Sequence, residues 1–294
     1  MTPETALLTR LAHKVALAHQ PLPGAAAALV TGSVARGQAD TASDIDMGVY
    51  YADALPDDAA REQICAALGG QRRRLLGADP GGGTVIDAFD LGGVEVQLIH
   101  ALISAVDADL DEVLVRHNPD TPLAKLVEGH QVAVAFYGEA QVEAWRRRAS
   151  HFPPELGIAM VRHHVRFFPA WGVMDQFLTR DATVWYHQIL VENSQNLLGV
   201  LAGLSGVFYT PFQFKRMKHF VQKLTIAPTD LLPRLEGLYG ADVATALPAL
   251  ETLVAETVTL VEAQMPEIDT SAVRRRLGFR RPRWEPDAIR AALS

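Results

Sequence analysis

Two carboxylates stand one residue apart at the head of an apolar run, Asp44-Ile45-Asp46-Met47-Gly48-Val49-Tyr50-Tyr51. The alternation predicts a strand, and in a strand the side chains at i and i+2 share one face. Asp44 and Asp46 therefore project together while Ile45 turns into a core. Like charges held that close repel, and each carboxyl is pushed toward protonation. A divalent cation removes the conflict. Magnesium takes oxygen ligands and keeps positions for water and substrate phosphates, so it suits such a pair. An Asp-x-Asp also arises in turns, so its neighbours must decide.

Upstream stand Gly32 and Ser33. Glycine permits close backbone approach, and Ser33 is placed to cap a helix starting at Val34. The first amides of such a helix would face phosphate oxygens, and Arg36 would add charge one turn later. Downstream, in Gly93-Val94-Glu95-Val96-Gln97, a carboxylate stands in an apolar strand pattern, an expensive place unless it is paired. Val94 and Val96 should face the core, with Glu95 and Gln97 on the opposite face. If that strand lies beside the Asp44 strand, Glu95 completes a three-acid site. Asp87 and Asp90, on the preceding strand, are alternatives for the third acid.

Residues 1–120 mix helix and strand signals. They comprise a helix over about 3–19, a short apolar run at 25–33, the Asp44 strand, a helix closed by Gly69 and Gly70, and two strands around Gly92-Gly93. A further helix stops before Pro119. This part reads as an α/β or α+β domain. From about 121 strand signals nearly vanish and helical periodicity punctuated by proline takes over, so 121–294 reads as an all-α helical bundle.

Charge is uneven. Residues 1–149 carry 20 Asp and Glu against 12 Lys and Arg, whereas 150–294 carry 14 against 15. An acidic first half argues against a large duplex footprint, which needs clustered positive charge, so no stable nucleic-acid complex is expected. No run approaches the roughly 18 uninterrupted apolar residues of a membrane helix, and no membrane partner is expected. The single cysteine, Cys65, cannot form an internal disulfide and reads as a small buried residue. A cytoplasmic location is the default. The run 274–284 holds six arginines, read as a surface stretch paired to acids or as a phosphate-contacting tail.

The stretch Gly32-Ser33 through Asp44-x-Asp46, with a third acid on a later strand, resembles the signature of the DNA polymerase β-type nucleotidyltransferase superfamily. Its Ser-x-Ala-Arg-Gly version and the attached helical region resemble the small-molecule branch, which includes aminoglycoside and lincosamide nucleotidyltransferases. The resemblance implies the mixed sheet of that fold, α+β in class, followed by the helical bundle. It implies that Gly32 and Ser33 hold a nucleoside triphosphate and that Asp44 and Asp46 hold two magnesium ions. Glu95 would be the third acid, as metal ligand or general base. The implied activity is transfer of a nucleoside monophosphate, AMP from ATP being expected, to a hydroxyl of a small molecule. Alternatives are AMP transfer onto a protein, as in toxin–antitoxin pairs, and a non-catalytic nucleotide sensor. Either a monomer or a homodimer would serve.

Helical regions of that superfamily lend a basic residue to the triphosphate. Lys215 is the candidate and Lys218 the second, three apart on one side of a helix starting near Pro211. Tyr209 is placed to stack on a base. His163 and His164, adjacent on a helix, diverge by about 100° and read as structural. Arg180 and His187 resemble the spaced Arg and His of HEPN ribonucleases, a coincidence at this length. Glu192 and Asn196, one turn apart on an apolar helix, would line a pocket or brace a neighbouring loop.

Overall fold

The computed structural model describes residues 2–79 and 81–294, without the side chain of residue 212. The chain is α+β, a mixed six-stranded sheet with helices followed by a helical region. It divides into two compact units that meet at Phe152 and Pro153.

The first unit opens with α1 (Pro3–His19). Thr2 caps it by accepting from the Thr5 amide at 3.1 Å, and its hydroxyl donates to the Ala39 carbonyl at 2.7 Å. Leu8, Ala12, Val15, Ala16 and His19 form the buried stripe. There follow β1 (Ala25–Val30), α2 (Gly32–Ala35), β2 (Ile45–Tyr51), α3 (Asp58–Leu68), β3 (Gln71–Ala78), β4 (Thr84–Leu91) and β5 (Val94–Leu102). Then come α4 (Ile103–Leu114), α5 (Ala124–Val132), β6 (Val134–Tyr137) and α6 (Glu139–Ala149). The sheet order is β3-β4-β5-β2-β1-β6. Among the described residues only β2 and β5 run parallel, and the other neighbours are antiparallel.

One face of the sheet is the core. Ile45, Met47, Val49 and Tyr51 of β2 join Phe89, Leu91, Val96 and Leu98 against α1 and α3. On the other face the Tyr50 ring meets Trp145 of α6 at 4.7 Å, and the Trp145 indole donates to Asp107 of α4 at 3.0 Å. The β4–β5 turn is Gly92-Gly93, both at positive φ, as the sequence leads one to expect.

Two strands escape the sequence pattern. β3 is an edge strand, mostly exposed and rich in arginine. β6 is four residues long and pairs with β1. Because β6 extends the sheet, and α6 follows it directly, the first unit runs to Phe152 rather than ending at the expected 120.

The core face also holds a buried polar cluster. Asp87, 2% exposed, accepts from Arg61 at 3.1 Å and from Arg73 at 3.0 Å. His100 lies with its Nε2 3.6 Å from Asp87, and the Tyr51 hydroxyl meets its Nδ1 at 3.1 Å. Nε2 facing a carboxylate is the protonated nitrogen of a neutral ring, so Tyr51 donates to Nδ1. Burial holds His100 well below the ordinary imidazole value, aided by His19, Arg61 and Arg73. Burial also lowers His19. Asp87, already shared by two guanidinia, gives the ring little reason to charge.

The second unit comprises α7 (Pro154–His164), a 3-10 turn (Ala170–Val173), α8 (Met174–Thr179) and α9 (Thr183–Ser205). A 3-10 segment (Pro211–Arg216) precedes α10 (Met217–Val221), α11 (Leu231–Gly240), α12 (Val243–Gln264), α13 (Ser271–Arg274) and α14 (Pro286–Leu293). By length and composition alone α12 could cross a membrane. Leu247, Leu250, Leu253, Val254 and Val258 form its buried side, while Glu251, Glu256 and Glu262 meet Arg280, Arg234 and Arg274. Half of the arginine-rich run is thereby explained, since its arginines answer acids of α12 and of α8.

The histidines give the fold a pH dependence with a definite sign. Folded-state values below about 6.5 mean that the unfolded chain binds more protons as pH falls. Stability should therefore decline from about pH 7 to about pH 5, above the range of ordinary carboxylates. Thermal melts would show this, and His100→Gln should flatten the slope; an unchanged slope would remove His100 from the account.

Candidate active site

β2 and β5 build the acidic face. Their parallel register sets Ile45 beside Val96 and Asp46 beside Gln97. One step earlier Asp44 comes beside Glu95. Ile45 and Val96 point into the core, fully buried, so Asp44, Asp46, Glu95 and Gln97 all occupy the opposite face. The Gln97 amide ties the group together, donating to Glu95 Oε1 at 2.9 Å and to Asp44 Oδ2 at 3.4 Å. Asp46 and Gln97 are register partners on the face that alternation predicts for Glu95 and Gln97.

The Gly32-Ser33 turn sits against the same strand end. The Thr31 amide donates to the Asp46 carbonyl at 2.8 Å. Gly32 has φ +62°, and a Cβ there would collide with the Asp46 carboxylate. Only glycine lets this turn close on the acid. The helix is a single turn, Gly32–Ala35, with Thr31 at its cap position, so Ser33 lies inside it and does not cap it. The turn's first backbone bond runs from the Ala35 amide to Thr31. The amides of Gly32, Ser33 and Val34 therefore lie outside the intrahelical ladder. Arg36 lies 3.5 Å from Glu128 of α5 and donates to the Gly32 carbonyl at 3.4 Å, which braces the turn.

The competing acids separate cleanly. Asp87 is opposite Leu98 on the core face, closed among Arg61 and Arg73, and cannot join Asp44 and Asp46. Asp90 is opposite Glu95 and shares its face, but one strand farther from β2. Arg72 pairs with Asp90 and Arg74 with Glu95. The Gln97 amide and the Arg74 guanidinium hold the Glu95 carboxyl below the usual range. The strand bearing these arginines was not read from sequence, although Arg72 and Arg74 have the period-2 spacing that faces two acids.

Oxygen donors only, Asp46 on β2 and Asp44 just before its first residue, fit a hard divalent cation completed by waters and substrate oxygens. Among the described residues no group of three or more His, Cys, Asp or Glu is arranged to hold a metal ion. The fit thus rests on Asp44 and Asp46, with Glu95 drawn toward Gln97 and Arg74.

The remaining candidates belong to the second unit. Tyr209 is corrected: it is buried, its ring packs on His164 and Phe220 at 5.6 Å each, and so it offers no face to a base. Lys215 and Lys218 are exposed, but the helical path is interrupted at Arg216, so they lie on the 3-10 segment and on α10 rather than on one helix. His164 meets Asn196 Oδ1 at 3.2 Å, and the Asn196 amide donates to the Arg166 carbonyl at 2.8 Å. Asn196 is therefore a loop brace. Arg180 donates to Gln176 at 3.2 Å, and His187 lies on the exposed side of α9.

Gly32→Ala tests the close approach. It forces a side chain into the left-handed region and against Asp46, and it should cost about 1–3 kcal/mol in chemical denaturation. A neutral result would mean that the turn does not close on the acid.

No protein-family model matches the chain, and no curated protein matches it. Among solved structures it is similar to a nucleotidyltransferase-like protein from Exiguobacterium sibiricum 255-15. Identity is 13%, covering 89% of this chain and 79% of that one, with a TM-score of 0.38. It is also similar to a chain of the GLD-2/RNP-8 complex, at 16% identity, covering 83% of this chain and 60% of that one, with a TM-score of 0.32. Likeness of that degree settles neither fold nor activity, and the functional reading rests on the residues above.

Proposed function

We propose that the chain is a nucleotidyltransferase. It would move a nucleoside monophosphate, AMP from ATP, onto a hydroxyl of a small molecule of the aminoglycoside or lincosamide kind. The observation that carries this reading is the packing of the Gly32 backbone against Asp46. It sets a turn with three amides outside its ladder beside two carboxylates on one strand face.

Each residue then has a task. The amides of Gly32, Ser33 and Val34 receive phosphate oxygens. Asp44 and Asp46 hold magnesium, which when bound offsets phosphate charge. Arg36 keeps the turn in place through Glu128. The acceptor hydroxyl oxygen bonds to the α-phosphorus and gives its proton to water, the bond from that phosphorus to the bridging oxygen breaks, and pyrophosphate leaves with that electron pair. Glu95 is the third acid. A carboxyl held below its usual range is a weak base at neutral pH, because a good base has a value near the working pH. Glu95 therefore suits a hydrogen bond that orients the acceptor, or a cation ligand, more than proton removal.

The test is pyrophosphate release from each of four nucleoside triphosphates against a panel of aminoglycosides, lincosamides and simple sugars. Asp44→Asn and Asp46→Asn should each reduce release by about 100-fold or more while leaving the melting curve in place. Activity that survives in the double variant would end the proposal. Silence over the whole panel, with ATP still bound, would shift it to a protein acceptor or a sensor.

A further inference from the structure

The second unit holds a pocket of about 360 Å³, formed where the segment 280–284 lies against the 3-10 turn and α8. That volume falls at the lower end of small-molecule sites, which run from about 300 to 1,000 Å³. The covering segment is fixed. The Trp171 indole donates to the Arg276 carbonyl at 2.9 Å, and the Arg281 amide donates to the Gly172 carbonyl at 2.8 Å. Gly172 is bare where the Phe279 ring crosses it, since a Cβ there would collide with that ring.

Four guanidinia line this pocket, those of Arg180, Arg280, Arg281 and Arg283. Two are matched. Arg283 pairs with Asp175 through Nε at 2.7 Å and Nη2 at 2.6 Å, and Arg280 pairs with Glu251 at 2.7 Å. Among the described residues no acid answers the other two. Arg180 meets only the neutral Gln176 amide oxygen, and no partner to the Arg281 side chain is recorded among the described residues. Trp284 stands at the rim with 72% of its surface exposed. A large aromatic left that open, beside two unanswered cations, is a stacking surface awaiting a planar group.

We propose that this pocket binds a phosphate monoester whose organic part carries a planar ring. The phosphate dianion would answer Arg180 and Arg281, and the ring would lie on Trp284. Planar guanidinia that fork onto phosphate oxygens give both charge and direction. A nucleoside monophosphate and a phosphorylated aromatic metabolite share this chemistry. The site lies wholly within the second unit and does not depend on the activity proposed for Asp44 and Asp46.

The experiment is a tryptophan-fluorescence titration with AMP, without magnesium, with calorimetry in parallel. AMP should quench saturably. Adenosine, lacking the phosphate, should bind at least about 10-fold more weakly, and inorganic phosphate should bind without quenching. Arg180→Ala with Arg281→Ala should weaken AMP by at least about 10-fold, and neither residue holds a salt bridge whose loss would unfold the unit. Trp284→Leu should remove the quench while calorimetry still records weakened binding. Quenching by adenosine equal to that by AMP, or unchanged binding in the double arginine variant, would overturn the proposal. Titration with phenyl phosphate separates the sources: comparable binding points to a general aromatic phosphate, and a clear preference for AMP to a nucleotide.

Discussion

The parallel pairing of β2 with β5 is the constraint on which the first unit depends. It is a parallel contact in an otherwise antiparallel sheet, as far as the described residues run, and it sets Ile45 beside Val96 with both fully buried. A slip of one residue would carry Asp46 into the core and Ile45 to the opposite face. The energy of that error is large, because a buried carboxylate without a partner is far costlier than an exposed isoleucine. The hydrophobic side of the strand therefore holds the acidic side in place. Position of the carboxylates is set first by core packing, and the Gln97 amide adds to it through Glu95 and Asp44.

The two faces treat negative charge in opposite ways. Asp87, on the core face, is closed among Arg61 and Arg73 with both guanidinia nearly buried. A buried charge of that kind is tolerated only with partners, and removing one would leave the rest stranded. On the other face Glu95 is about one-third exposed and its arginine reaches over from an edge strand. Pairs that open to solvent are worth little and exchange readily. One cluster is built to stay and the other to be rearranged by whatever arrives with positive charge.

Legibility followed the strength of local pattern. β2 and the β4–β5 hairpin could be read because alternation and the Gly92-Gly93 pair act locally. Glu95 and Gln97 could be placed on one face by parity alone, and Asp44 could be set beside them only once the strands were known to be neighbours. β3 was missed because its partners lie elsewhere in sequence: Arg73 turns to Asp87 while Arg74 turns to Glu95, so its pattern reads as charge rather than alternation. β6 was missed because four residues between two helices carry too little signal, and the domain boundary moved with it. Tyr209 was misjudged since nothing local announces that His164 and Phe220 will enclose its ring. The interruption at Arg216 likewise follows no proline or glycine.

The edge formed by β3 has a consequence beyond the site. It departs from regular pairing with β4 at two places, and Arg72 adopts positive φ. Its exposed leucines, Leu75 and Leu76, would otherwise invite a strand from a second molecule. An irregular ladder fronted by three consecutive arginines offers an incoming strand neither a continuous row of amides nor a neutral surface. The residues that answer Asp90, Asp87 and Glu95 thus also end the sheet, and they disfavour strand addition at that edge.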